Sequence, residues 1–181
     1  QLLKDRAWAK GFVGIAAKFV ARLATKLAAS SDMTSVADTQ VPPFNAKKRV
    51  VVRNLPDASL LTVSTELNKV PTAIYIGDVR RSRGLFTILE AAEKAPHWNF
   101  EIIGNLSALD REAVDAWIAK SAAVDRVKFH GRLAPKDAWK FAGKAWVVLT
   151  LLESTPAFVE AVPSKLYEYM SCGLATISTP L

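Results

Sequence analysis

Glu160 and Glu168 lie eight positions apart and straddle Pro163-Ser164-Lys165, directly after a run typical of a buried strand and a loop. Pro163 suits the first position of a helix, where its fixed φ fits and its missing N–H is no loss. Glu160 then falls in the loop before the helix, and Glu168 about a turn and a half inside it. Between them lie the unpaired backbone N–H groups of a helix start, a seat for an anion such as a diphosphate. Two acids able to grip hydroxyls, with a phosphate seat between them, match what a sugar nucleotide presents.

The elements that must position this segment are legible from residue 72 onward. Short β-branched or aromatic runs occur at 73–76, 100–103, 127–129, 146–149 and 175–177. Helical patterns separate them: Leu85, Ile88, Leu89 and Ala92, then Leu109, Ala113, Trp117 and Ile118, then Ala138, Trp139 and Ala142. Strands alternating with amphipathic helices predict an α/β fold, a Rossmann-like parallel sheet with helices on both faces and right-handed crossovers. Ligands of such sheets bind beyond the carboxyl ends of the strands. After the first run comes Gly77-Asp78-Val79-Arg80-Arg81-Ser82-Arg83-Gly84, whose arginines can hold phosphate in bidentate fashion or form a solvated basic loop. Neither a G-x-G-x-x-G fingerprint nor a phosphate-binding G-x-x-x-x-G-K-[ST] loop is present. Gly104-Asn105 and Gly131-Arg132 come after the next two runs, where glycine permits close approach of a ligand or simply a turn.

In their order and spacing these stretches resemble the retaining nucleotide-sugar glycosyltransferases of the GT-B fold that carry an E-x7-E motif. Tyr75-Ile76-Gly77 with Arg83-Gly84 looks like the family's donor-phosphate loop, and Phe100-Glu101-Ile102-Ile103-Gly104 like its second strand. Val127-Lys128-Phe129-His130-Gly131 looks like its VxFxG strand, and residues 160–174 like the ExxPxKLxEYMxxGL form of its E-x7-E motif. The resemblance implies that Glu160 binds hydroxyls of the transferred sugar, as the catalytic carboxylate, and that Glu168 accepts hydrogen bonds from the ribose. It further implies that Ser164 and Lys165, with Arg83 and the loop at Gly77, hold the diphosphate. Backbone near Arg132 and Leu133 would contact the base. Transfer with retention and without a metal is implied, the nucleotide sugar being the donor substrate and no separate cofactor being needed. Two positions depart from the pattern. Asp78 stands where many relatives have a basic residue, with Arg80 or Arg81 as the expected compensation, and Ala175 replaces a usual proline.

Other side chains have plainer readings. His130 is read as a strand-end packing residue, Tyr167 and Tyr169 as packing groups, and Cys172 as a small buried hydrophobe. A lone cysteine gives no disulfide framework and fits a reducing compartment. With only His97 and His130, far apart, no metal site is expected.

Half of the 181 residues are hydrophobic and 23% are charged, which supports a sizeable core and excludes a disordered chain. No apolar run reaches about 18 residues, so no membrane-spanning helix is expected. Of the net charge of +7, residues 1–30 hold +5, six Lys or Arg against Asp5. So local a positive charge argues against a nucleic-acid partner. Residues 2–28 have a helical pattern, with Phe12, Ala16, Phe19, Leu23 and Leu27 beside a stripe of Lys18, Arg22 and Lys26. Gly11 and Gly14 weaken its first half, so it starts late or breaks there. Its apolar face either packs on a core or rests on anionic lipid, and both can hold. A loop at Val41-Pro42-Pro43-Phe44 and the Lys47-Lys48-Arg49 run precede a strand at Val50-Val51-Val52.

The expected organisation is residues 1–56 as the end of an acceptor-side domain, 57–71 as a linker and 72–181 as a donor domain incomplete at its end. The chain starts at Gln1 without methionine and is read as part of a longer protein, inactive by itself. The expected partners are a nucleotide sugar, a glycan, lipid-linked or small-molecule acceptor, and an anionic membrane surface met by residues 1–30. The expected place is the cytoplasm and the inner face of the cell membrane, in polysaccharide synthesis. A non-catalytic membrane or nucleotide module and a sugar-nucleotide epimerase are the alternatives.

Overall fold

The structure is a computed structural model that describes residues 11–53, 66–155, 158–159 and 163–180. The chain forms two compact units, residues 1–55 and 56–181. The smaller contains α1 (Gly11–Ser30) and the parallel strands β1 (Thr34–Val36) and β2 (Arg49–Val51). Gly14 does not break α1 and is its sole buried residue. Phe12, Phe19, Leu23 and Leu27 are exposed, so of the two readings of this stripe, packing on a core and resting on lipid, the described residues do not show the first. β2 starts one residue earlier than the sequence suggests, and β1 has no counterpart among the expected strands. Arg49, the first residue of β2, is partly buried. Its Nη2 donates to the carbonyls of Asp38, Thr39 and Val41 and its Nε to that of Pro43, which organises the loop before β2.

The larger unit is a five-stranded parallel sheet. In chain order it runs β3 (Thr72–Ile76), α2 (Leu85–Lys94), β4 (Asn99–Ile103), α3 (Arg111–Ile118), β5 (Val127–Gly131), α4 (Pro135–Lys144), β6 (Val147–Thr150), α5 (Ser164–Ser171) and β7 (Thr176–Ser178). In space the order is β5-β4-β3-β6-β7. The chain therefore builds outward from β3 to β5, then returns to the other side of β3. That reversal, between β3 and β6, is a topological switch point where α/β sheets open a crevice.

Side-chain alternation decides the layers. Ala73, Tyr75, Phe100 and Ile102 point to the face covered by α2 and α3, whereas Ile74, Ile76, Ile103 and Val148 meet α4 and α5. All five residues of β3 are buried, as expected of a central parallel strand. Each fully buried aliphatic side chain, such as Ile74, Leu89 or Ile102, contributes about 1.5–3 kcal/mol of burial free energy. The α2 pattern of Leu85, Ile88, Leu89 and Ala92 is its buried face. The α3 pattern is shifted. Val114 is its buried residue and Trp117 packs at the edge, while Leu109 precedes the helix and is exposed, as is Ile118. Among the described residues no helix is long and apolar enough to cross a membrane.

Candidate functional site

Gly77 directly follows β3, Gly104 directly follows β4 and Gly131 ends β5, and these glycines align across the carboxyl edge of the sheet. The Gly77 N–H donates to the Ile103 carbonyl at 2.9 Å, and the Gly104 N–H to the Gly131 carbonyl at 2.8 Å. At Gly104 (φ +143°) a Cβ would sit 1.7 Å from the Gly77 carbonyl oxygen, so no side chain fits. The edge is thus a bare backbone floor. Above it opens a cavity of about 460 Å³, walled by Gly77, Asp78 and Arg83 after β3, Gly104 and Asn105 after β4, and Arg132 and Leu133 after β5. Pro135, Ala138 and Trp139 of α4 and Lys165 of α5 complete it.

The loop after β3 is pinned from below and behind. The hydroxyl of Tyr75 donates to the Asp78 carbonyl at 2.8 Å. Burial pushes that phenol up to about 12. Residues Arg81–Arg83 form a single 3₁₀ turn closed by Gly84, where a Cβ would meet Leu151 at 2.3 Å. The Glu153 N–H donates to the Ser82 carbonyl, tying the turn to the segment after β6. Arg83 stacks over the Phe158 ring at 5.5 Å, and its buried Nε has no hydrogen-bond partner among the described residues.

The start of α5 is built differently from the expectation. Pro163 is the N-cap, with φ −62° and ψ 123°, and Ser164 is the first helical residue. Proline offers no capping oxygen, so no side chain caps the first turn. Lys165 comes next and reaches the cavity, close enough that a Cβ on Gly77 would lie 3.6 Å from its Cε. Glu168 stands one turn on, its Oε2 3.9 Å from Lys165 Nζ. Such a partly exposed pair is worth under about 1 kcal/mol, so a stronger anion can take the lysine.

Of the residues singled out from sequence, Gly77, Arg83, Leu133 and Lys165 line the cavity, together with Arg132. Glu168 joins them through Lys165. Ser164 lies next to them at the helix start but does not line the wall. Glu160 lies outside the described residues. Arg80 is not brought to the cavity: it opens the 3₁₀ turn, and its carbonyl accepts from the Arg83 N–H. Nor does Arg81 compensate for Asp78. Its guanidinium stacks on Phe86 at 4.3 Å and its N–H donates to Asp110. Asp78 itself faces the cavity, a negative charge among three cations. Trp139, read from sequence as a core residue of α4, also forms part of the wall, with its ring edge-to-face on fully buried Tyr169 at 5.7 Å. Tyr169 and buried Cys172 are packing groups, whereas Tyr167 is exposed.

The chain matches the family model "Glycosyl transferases group 1" over residues 61–180. Among solved structures it is similar to sucrose-phosphate synthase of Thermosynechococcus elongatus, at 15% identity and a TM-score of 0.65, covering 89% of this chain and 44% of that one. It is similar to HepE of Anabaena, solved in complex with UDP and glucose, at 16% identity and a TM-score of 0.64, covering 87% of this chain and 47% of that one. TarM of S. aureus gives 13% identity and a TM-score of 0.61, covering 87% of this chain and 32% of that one. This chain thus spans less than half the length of each. No curated protein matches it.

Proposed function

The chain belongs to the glycosyl transferases group 1 family, and from that premise we propose that its larger unit binds the donor of a retaining sugar transfer, a nucleoside-diphosphate sugar. One observation carries the reading. Arg83 and Lys165, the latter the second residue of the uncapped helix α5, converge on a single cavity at the carboxyl edge of the sheet, over glycine backbone at Gly77 and Gly104. Cations and backbone N–H groups suit a diphosphate, and the helix dipole adds to them. Such groups can stabilise negative charge that grows on the departing diphosphate.

In this reading the diphosphate lies between Arg83 and Lys165, and the base lies against Arg132 and Leu133. Glu168 takes the ribose hydroxyls once Lys165 turns to phosphate. Glu160 and Ser164 keep the roles implied by the family motif, the first on the transferred sugar and the second at the phosphate. HepE holds UDP, which makes UDP the first probe. Titration of the chain with UDP and several UDP-sugars should give saturable binding that is lost in Glu168→Ala. In the whole protein, sugar should pass to a glycan or lipid-linked acceptor with retained configuration. Release of an altered free sugar nucleotide would favour an epimerase instead.

A second surface supports a peripheral membrane position. Phe12, Phe19, Leu23 and Leu27 are exposed on α1 beside Lys18, Arg22 and Lys26, a combination suited to anionic lipid.

A further inference from the structure

We propose that His130 and Glu101 form a positioning pair that sets the base-side wall of the cavity; this rests on the donor-binding reading above. Pairing of β4 with β5 shifts register at this point: Ile102 faces Phe129 and Ile103 faces Gly131, which leaves His130 as the extra residue of a bulge. Bulges bend a strand and re-aim the residues beyond it, and they recur beside functional sites. Here the re-aimed residues are Gly131 at φ +67° and, after it, the cavity-lining Arg132 and Leu133.

A bulged residue forfeits ladder contacts and needs another anchor. His130 has two. Its Nε2 pairs with the Glu101 carboxylate on the neighbouring strand, with 23% of the imidazole side chain and 15% of the glutamate side chain exposed. A carboxylate only accepts, so Nε2 carries the hydrogen and donates it. The imidazole also packs on Phe141 of α4, ring centres 4.6 Å apart. The loop from β5 to α4 is therefore held at both ends by one side chain: to the sheet through Glu101 and to the helix through Phe141. The Gly104 N–H to Gly131 carbonyl bond, which joins the floor of the cavity to this loop, depends on the same bulge geometry. Neither His130 nor Glu101 lines the cavity, so the pair acts through Arg132 and Leu133.

The test uses UDP and inorganic pyrophosphate as probes on the full chain, since only UDP has a base to touch that wall. His130→Leu and Glu101→Leu should each raise the Kd for UDP about tenfold and leave that for pyrophosphate unchanged. His130→Gln, which keeps an N–H donor, should recover most of the loss. The Gly104 amide should exchange faster in both leucine variants than in the wild type. Unchanged UDP binding in both leucine variants would overturn the proposal, whatever the Gly104 exchange. Equal losses for both probes would also overturn it, showing that the pair serves only the fold. Should the wild type bind neither probe, the donor-site reading fails, whereas unchanged Gly104 exchange would separately refute the clamp.

Discussion

Arg83 and Lys165 come from distant parts of the sequence to one cavity, and their charges decide what it can hold. Lys165→Ala should weaken UDP binding about tenfold at low salt and less at high salt, as read by calorimetry. Asp78 opposes them, so Asp78→Asn should tighten UDP binding severalfold; no gain would mean that its carboxylate does not face the phosphates. Tyr75 makes a pH prediction. Burial raises its folded-state value to about 12 from an ordinary 10, so the unfolded chain loses this proton first as pH rises. The associated stability is fully present below pH 10 and is lost on the way to about pH 12, on the order of 2–3 kcal/mol. Tyr75→Phe should flatten the fall in melting temperature over that range. Lys165, Arg83, Gly77 and Leu133 are legible as residues that line the cavity because motif order ties each to a strand end or helix start. Arg80 is not. Three arginines within four positions fan out from one tight turn, and no sequence period says which of them aims at the cavity.

At the scale of elements, the glycine edge separates two kinds of constraint. Gly104→Ala would drive a Cβ into the Gly77 carbonyl and should cost about 3 kcal/mol or more, or abolish folding. Gly131 has nothing within 4 Å of its would-be Cβ but has φ +67°, so Gly131→Ala should cost only about 1–2 kcal/mol of backbone strain. Denaturant midpoints check both, and equal losses would contradict this description of the floor. The strands are legible because runs such as Ala73-Ile74-Tyr75-Ile76 are buried on both faces and read as continuous apolar segments. The face of α3 is not, because two turns of a helix fit more than one stripe, and tertiary packing chose Val114. β1 leaves little trace in sequence since Thr34-Ser35-Val36 buries a single side chain. Pro163 stands one position from its expected place because proline fits a cap as well as a first turn.

For the molecule as a whole, alternation of strands and helices discloses a parallel sheet, but not that β3 is central or that the chain reverses beside it. That order comes from which helix packs on which face, a long-range matter no local pattern encodes. The local charge of residues 1–30 makes a separate prediction: binding to anionic vesicles that weakens with salt and disappears when those residues are removed. Unchanged vesicle binding after removal would end the membrane reading. We propose above that a nucleoside diphosphate sits on the glycine floor between Arg83 and Lys165. The most direct test is an amide-resolved titration of the chain with UDP. Saturable shifts at Gly77, Gly104, Gly131 and Lys165 are the expected result. Shifts confined elsewhere, for example to the apolar cleft of about 290 Å³ lined by Ile88, Trp98 and Ile177, or no shifts at all, would contradict it.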